Sequence, residues 1–428
     1  MLTQFPLPYP EEWWYSVLCR FHIRTGNLKH QTTVHELFQG ANAAAMGSLF
    51  PNRTLSDVLT QLPEGVLEFE ELLQDQTLLP YFVRFHQPER KKEIAANIRL
   101  GRTMVVSSIW RADSKRKWKP RYCPVCYQEN QERYGEPYWH TPHQIPSITH
   151  CPKHGCRLIA VEQITPSHMS YTFYPLSACE PSAQGSKAEG WPPALSRILY
   201  EYWKLPLLIG PTDGYSNLAI LLGNMGYEVI QKKSPHTILD VKRLYRDLAA
   251  HYGTQLVSEV VGTDPTACRL NRACKWQGIA PDLYALLQCF AGASTETIFS
   301  AERIPSKFAL QLRQMEGEPV VYTKKQVLER LGVTASQLEI LAARFGMEPF
   351  WRRSQHEDSI PRRKYQFVME GEQLERFEQA FAQSGFRYES YFIRHCIQSC
   401  LEARIWTTDT QDVPQMKADR TSPGRSGS

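Results

Sequence analysis

Three cysteines and one histidine stand in two short pairs that have the spacing of metal ligands. Cys123 and Cys126 form a C-x2-C pair, and after 24 intervening residues Cys151 and His154 form a C-x2-H pair. Each pair lies in a turn short enough for both side chains to bind one ion, and three thiolates with one imidazole make a closed tetrahedral set for Zn²⁺. A closed set leaves no position for water, so the pattern predicts a structural zinc ion and argues against zinc catalysis.

Two neighbouring side chains compete for the fourth ligand position. His150 and Cys156 flank the second pair. We prefer His154 because its distance in sequence from the preceding cysteine equals the spacing within the first pair. The competing interpretation is four unrelated reduced side chains. It is disfavoured because both pairs have the same spacing and both carry a proline directly after the first ligand.

No catalytic constellation accompanies these pairs. We find no phosphate-binding G-x-x-x-x-G-K-[ST] segment and no paired carboxylates with a metal-ligand pattern in the sequence. His140 and His143 beside Glu136 have the residue types of a hydrolytic group, but residues between two zinc-binding turns usually pack or orient the fold. The sequence therefore predicts no enzyme and no catalytic residue.

The composition is that of a folded, water-soluble protein. The chain has 428 residues, of which 42% are hydrophobic and 22% charged, enough for two or three domains with their own cores. It contains no run of about 18 apolar residues, and its first residues lack the basic and apolar regions of a secretion signal. Eleven cysteines in a chain of this length fit a reducing compartment. We expect a cytoplasmic protein without a membrane span.

Basic residues are unevenly distributed along the chain. The net charge is only +5, but residues 111–121 hold six basic residues against one acid, and residues 351–364 hold five against two. A third, sparser cluster lies at 269–275. Such clusters can neutralise DNA phosphates, and Trp118 in the first could stack on a base; the alternative is a solvated loop held by one buried tryptophan. The candidate DNA contacts in these clusters are Lys115, Arg116, Lys117, Lys119, Arg269, Arg272, Arg352, Arg353, Arg362, Arg363 and Lys364.

Residues 323–345 have the pattern of a helix-turn-helix. Thr323 can cap a first helix, Gly332 permits a tight turn, and Thr334 or Ser336 can start a second helix. Leu338, Leu341 and Ala342 would then face inward. The candidate DNA contacts on the outer faces are Lys324, Lys325, Gln337 and Arg344. A plain helical hairpin without DNA contact is the alternative.

Hydrophobic spacing near 3.6 residues recurs along most of the chain and predicts a mainly α, multi-domain helical protein. We divide it into a helical region 1–114, an embedded Cys₃His zinc-finger module 115–180, a helical domain 190–300 with a weaker first helix-turn-helix candidate, a helix-turn-helix domain 301–407 and a disordered tail 408–428. The only β pattern is at 158–161 and 171–174, where we predict a short hairpin.

The motifs around the ligand pairs resemble the TniQ/TnsD family, the target-selection proteins of cut-and-paste bacterial transposons. The resemblance covers about the first 160 residues. The motifs that carry it near the cysteines are Arg121-Tyr122-Cys123-Pro124-x-Cys126, Arg133-Tyr134-Gly135-Glu136-x-Tyr138-Trp139-His140, His143-Gln144-Ile145-Pro146 and Cys151-Pro152-x-His154-Gly155. Those nearer the N-terminus are Phe5-Pro6-Leu7-Pro8-Tyr9, Tyr15-Ser16-x-Leu18-x-Arg20 and Thr77-Leu78-Leu79-Pro80-Tyr81-Phe82.

This resemblance implies an adaptor that selects the insertion site in DNA transposition. Such a protein binds a specific double-stranded attachment site and recruits the transposon's TnsC-like AAA+ ATPase regulator and transposase. The N-terminal part with the zinc module is associated with recruitment, and C-terminal helix-turn-helix modules with target engagement. Two alternatives remain open: an adaptor that links an RNA-guided CRISPR effector to the transposition machinery, and a zinc-containing transcription regulator.

Overall fold

Helices dominate this protein, as the sequence predicts. The computed structural model describes residues 2, 4–38, 46–102, 118–179, 192–210, 216–230, 238–263, 270, 281–316, 322–347 and 371–402. Its α-helices are Trp14–Thr25, His30–Phe38, Thr54–Leu59, Phe69–Asp75, Leu79–Val83, Pro88–Arg99, Pro124–Tyr134, Pro166–Met169, Pro193–Lys204, Asn217–Leu222, Val241–Tyr252, Thr254–Val261, Pro281–Ala291, Thr295–Phe299, Lys307–Glu316, Lys324–Leu331, Ala335–Arg344, Gly371–Ser384 and Glu389–Glu402. The predicted tail 408–428 lies outside the described residues.

The chain divides into two compact units, Met1–Trp351 and Arg352–Ser428. In the second unit, the two described helices pack through the rings of Phe377, Phe381 and Phe392. In the first unit, one continuous core extends from Trp13 to Ile298. The segments 1–114, 115–180 and 190–300 that the sequence analysis separated therefore share one core. No helix among the described residues is long and apolar enough to cross a membrane.

Two very short antiparallel sheets interrupt the helices of the first unit. Strand Arg121–Tyr122 pairs with Ile159–Ala160, and Glu228–Val229 pairs with Ile238–Leu239. The predicted hairpin between 158–161 and 171–174 is therefore wrong. The backbone of the later segment is bound by a side chain instead: the hydroxyl of Tyr15 donates to the Thr172 carbonyl and accepts from the Tyr174 amide.

Two buried cations join the N-terminal helices to helix Pro193–Lys204. Arg84 and Lys91 are fully buried, and they lie against the end of that helix, where the last carbonyls have no intrahelical donor. Burial lowers the pKa of Arg84 to about 9 and that of Lys91 to about 7. Their hydrogen bonds go to the backbone carbonyls of Tyr202, Leu205, Pro206, Leu207 and Ile209.

Helices Lys307–Glu316, Lys324–Leu331 and Ala335–Arg344 enclose a small separate core that contains Leu312, Val327, Leu331 and Leu338. Thr323 and Thr334 each form a capping box, and Gly332 ends the first helix of the pair with a positive φ of 63°. The predicted cap at Thr323, the glycine turn and the inward-facing Leu338, Leu341 and Ala342 are confirmed. The sequence left two starts open for the second helix, and the structure selects Thr334.

A buried ionic network joins the N-terminal segment to the residues that follow helix Pro124–Tyr134. The Arg20 guanidinium donates to Glu12 and to Glu136, both at 2.8 Å, and lies 3.6 Å from the centre of the Tyr9 ring. Tyr9 in turn donates its hydroxyl hydrogen to Glu136. Burial raises the pKa of Glu12 to about 7, and the charge of Arg20 opposes that rise. Arg20 thus brings together residues from three of the motifs quoted above, since Tyr9, Arg20 and Glu136 each belong to a different one.

Replacing Arg20 with Met should destabilise the first unit by about 3–5 kcal/mol, because it leaves the buried Glu12 carboxylate without its cation. Urea unfolding followed by tryptophan fluorescence measures this loss. Glu12 has a folded pKa above its unfolded value, so its contribution is present below about pH 4.5 and is lost as the pH rises through 7. Without the charge of Arg20, ionising the buried Glu12 carboxyl becomes more costly. The free energy of unfolding that the variant loses relative to wild type should therefore be larger at pH 8, where the carboxyl must ionise, than at pH 5.

Arg24→Met is the matched control, since Arg24 lies 3.7 Å from the same Glu136 but is 44% exposed. Exposed pairs contribute little, so this variant should lose less than about 1 kcal/mol. Equal losses for the two variants would contradict the role of the buried network.

Candidate metal centre

The four predicted ligands come together in the first unit. One ligand atom each from Cys123, Cys126, Cys151 and His154 lies within 4.8 Å of the other three, and the three cysteines are buried. This is the cluster of metal-binding side chains found among the described residues. These four side chains supply all the ligands of a tetrahedral site, so no residue from another part of the chain is needed.

The local fold explains how the first pair is positioned. Cys123 is the N-cap of helix Pro124–Tyr134, and its Sγ accepts a hydrogen bond from the Cys126 amide. Pro124 occupies the first helical position, where its missing N–H costs nothing. Both thiols therefore lie at the N-terminal end of one helix, where the helix dipole favours negative charge.

The second pair lies on a turn that the small sheet brings to the first. The Gly155 amide donates to the Cys151 carbonyl at 2.8 Å, and Gly155 takes a φ of 66°, a conformation that favours glycine. Strand Arg121–Tyr122 directly precedes the first pair, and strand Ile159–Ala160 follows the second. Their pairing closes the loop that carries the ligands.

The distances within the cluster fit a tetrahedral ion of the size of zinc. Such an ion, with Zn–S near 2.3 Å and Zn–N near 2.0 Å, separates two sulfur ligands by about 3.8 Å and a sulfur from a nitrogen by about 3.5 Å. The Sγ atoms of Cys126 and Cys151 are 3.8 Å apart. The Nδ1 atom of His154 lies 3.3, 3.4 and 3.6 Å from the Sγ atoms of Cys126, Cys123 and Cys151. The donor set is therefore suited to a metal ion.

Of the two rival ligands, one points elsewhere and one lies nearby. The Nδ1 atom of His150 contacts the hydroxyl of Thr149. Cys156 is half-buried and its Sγ is 3.2 Å from that of Cys123. Cys156 is thus a spare thiol beside the cluster, while His154 makes the short contacts to all three cysteines.

The thiols of the cluster perturb one another. The hydrogen bond shared with Cys123 raises the pKa of Cys126, and the one accepted from Cys123 lowers the pKa of Cys151. A bound divalent cation deprotonates coordinating thiols, because it stabilises the thiolate directly.

Residues between the two ligand pairs are used for packing. His140 stacks on Tyr138 at 4.5 Å, its Nε2 contacts Asn130, and burial lowers its pKa. Glu136, the carboxylate that would complete a hydrolytic group with His140 and His143, is bound by Arg20 instead. Trp118 donates its indole hydrogen to the Gln144 carbonyl and packs against the Trp13 ring, as expected for a tryptophan that holds a loop.

The structure describes five of the predicted DNA contacts. Lys119 donates to the Glu162 carbonyl at 2.6 Å, Lys324 is half-buried, and Lys325 is exposed. The side chain of Gln337 belongs to the capping box of Thr334, and Arg344 pairs with Glu228 at 2.6 Å. The other predicted contacts, Lys115, Arg116, Lys117, Arg269, Arg272, Arg352, Arg353, Arg362, Arg363 and Lys364, lie outside the described residues.

Sequence analysis missed Glu129, which contacts the cluster from outside. One carboxylate oxygen lies 3.1 Å from Nε2 of His154, and the other accepts from Lys153. The signal for it was present in the sequence. Glu129 follows Cys126 by three residues on one helix, so both side chains lie on the same face.

Replacing Cys126 with Ser should abolish stoichiometric metal binding and lower the melting temperature, because structural zinc contributes its binding free energy to folding. Elemental analysis of the purified protein and a thermal melt measure both effects. The control is Cys396→Ser, since Cys396 is exposed on helix Glu389–Glu402. An unchanged metal content in the Cys126 variant would rule out this ligand.

Comparison with known proteins identifies the segment that contains the cluster. Residues 3–158 match the family model described as TniQ. Transposon Tn7 transposition protein TnsD from Escherichia coli is 27% identical over 165 residues, which cover 36% of this chain and 31% of that protein's length. All four ligands and the Arg20 network lie within the matched segment. Residues 3–158 are thus similar to the TniQ family, and this segment contains the cysteine–histidine cluster.

Proposed function

We propose that this protein selects the target site in DNA transposition. The observation that carries the proposal is the TniQ domain, similar to a transposition protein, which contains the buried cluster of three cysteines and one histidine. A closed cluster favours a structural role over catalysis, as an adaptor requires. The protein would bind target DNA and recruit a TnsC-like AAA+ regulator and, through it, the transposase. Recruitment rests on the family resemblance.

The ion of the cluster is assigned as Zn²⁺. Three thiolates and an imidazole at tetrahedral separations are the ligand set that zinc prefers in structural sites. When bound, the ion would cross-link the two ligand pairs and compensate the thiolate charge. The residues of the chain supply the rest of the fold around it.

The DNA-binding surface is assigned to the C-terminal half of the chain. Helices Lys324–Leu331 and Ala335–Arg344 with their glycine turn support a helix-turn-helix, whose second helix would enter the major groove. Gln337 and Arg344 already bind groups of the protein itself, so they could reach DNA only by releasing Thr334 and Glu228. We propose Lys324 and Lys325 of the first unit as candidate phosphate contacts, and separately retain the basic cluster at 351–364, which lies outside the described residues, as a second candidate.

Binding of the purified protein to a genomic library of short duplexes tests the proposal. At physiological salt, a direct reader should enrich one site over bulk DNA by at least about a thousandfold. Enrichment of an attachment site would support direct target selection by this chain. Absence of any enriched sequence would contradict direct recognition of a DNA sequence by this protein. It would favour an adaptor that is directed to its target by an RNA-guided complex.

Replacing Arg352, Arg353, Arg362 and Arg363 with Gln should weaken DNA binding by reducing counterion release. Each lost phosphate contact lowers the slope of log affinity against log salt concentration by about 0.9. Fluorescence anisotropy on one duplex across a salt series measures this slope. An unchanged slope would place the contact surface elsewhere.

The control carries the same change in charge at exposed arginines of the first unit. It replaces Arg24, Arg90, Arg99 and Arg197 with Gln, whose side chains are between 44% and 80% exposed. This variant should keep the wild-type slope. A drop of the same size in both variants would indicate a general effect of net charge.

A further inference from the structure

Glu129 contacts both the Nε2 atom of His154 and the ammonium group of Lys153. Its Oε1 lies 3.1 Å from Nε2 of His154, and its Oε2 accepts from the Lys153 ammonium at 2.5 Å. The carboxylate is thus held at both oxygens by two successive residues, Lys153 and His154, of the turn that carries the second ligand pair. Because the Nδ1 atom of His154 faces the three thiols, the imidazole lies between the cluster and the carboxylate.

An imidazole can bind a metal through either nitrogen, and the hydrogen bond at the other nitrogen decides which one. An acceptor at Nε2 requires the hydrogen to be on Nε2, which leaves the Nδ1 lone pair free for the ion. The carboxylate also fixes the rotation of the ring. Helix Pro124–Tyr134 carries both Cys126 and Glu129, so one rigid element positions a ligand and the partner of another ligand.

We infer that Glu129 is the positioning residue that holds His154 as the fourth ligand of the metal. The inference rests on the proposed metal centre and adds to it the reason why histidine is chosen over a nearby thiol. Cys156 lies 3.2 Å from Cys123 and offers a sulfur to any ion whose histidine ligand turns away. The contact between Glu129 and His154 opposes that exchange by keeping Nδ1 directed at the cluster.

The expected effect on metal affinity is moderate. Loss of such an outer partner weakens metal binding by about 10–100-fold. His154 is 15% exposed and Glu129 is 42% exposed, so water can replace part of the lost hydrogen bond. The weakening should therefore be near the lower end, about tenfold.

The experiment compares the full-length wild-type protein with Glu129→Ala, a change that alanine's helix propensity tolerates. Competition with a chromogenic chelator gives the zinc affinity of each protein. Nitrogen-15 spectra of labelled histidine report which ring nitrogen is bound to the ion. Glu129→Ala should bind zinc about tenfold more weakly, and its His154 should lose the uniform Nδ1-bound form. Glu132→Ala, an exposed carboxylate on the same helix, is the control and should match wild type.

Two further variants separate the outcomes. Cys156→Ser should keep wild-type affinity, because the thiol is not a ligand while Glu129 is present. A loss of zinc in Cys156→Ser combined with wild-type affinity and an unchanged Nδ1 signal in Glu129→Ala would overturn the inference. Failure of the wild-type protein to bind zinc would reject the proposed metal centre itself, whereas a zinc-binding wild type with an indistinguishable Glu129→Ala variant would reject only the role of Glu129.

Discussion

The close approach of the pair Cys123 and Cys126 to the pair Cys151 and His154 is the constraint on which the N-terminal part of the first unit depends. The sheet beside it has only two residues in each strand, far too few to be stable alone. The 24 residues between the pairs carry Glu136, Trp139 and Gln144, all of which bind groups of other segments. The ligand cluster fixes both ends of this segment, and its contacts with the N-terminal helices can form only when those ends are close together.

Buried polar contacts then define how the helices of the first unit pack. Arg20, Arg84 and Lys91 lose their hydration in the core, and each recovers hydrogen bonds from a segment distant in sequence. The Asp282 carboxylate is also buried, and it accepts hydrogen bonds from the hydroxyls of Tyr81 and Ser147. Such contacts add little net free energy, but removing one partner leaves a buried charge without compensation. They therefore penalise every alternative packing of these helices.

The features that the sequence predicted are those encoded by residues close together in the chain. The ligand pairs have a fixed spacing of three residues, and the capping boxes at Thr323 and Thr334 join each cap to the residue three positions later. The pairing of Arg121–Tyr122 with Ile159–Ala160 could not be predicted, since two-residue strands have no measurable alternation and their partners are far apart. For the same reason, Arg84 and Lys91 could not be distinguished from ordinary surface cations. Their acceptors are backbone carbonyls, which leave no trace in the sequence.

The match to the TniQ model ends at residue 158, but the core of the protein does not end there. Trp203 donates its indole hydrogen to the Thr77 carbonyl, and Arg84 and Lys91 bind the turn that follows helix Pro193–Lys204. A chain cut at the family boundary would leave these two cations buried without acceptors and the core exposed where Trp203 fills it. The helices from 193 to 298 are thus part of the structural unit that presents the TniQ segment. Substitutions in this later region can therefore change the stability of the segment that contains the cysteine–histidine cluster.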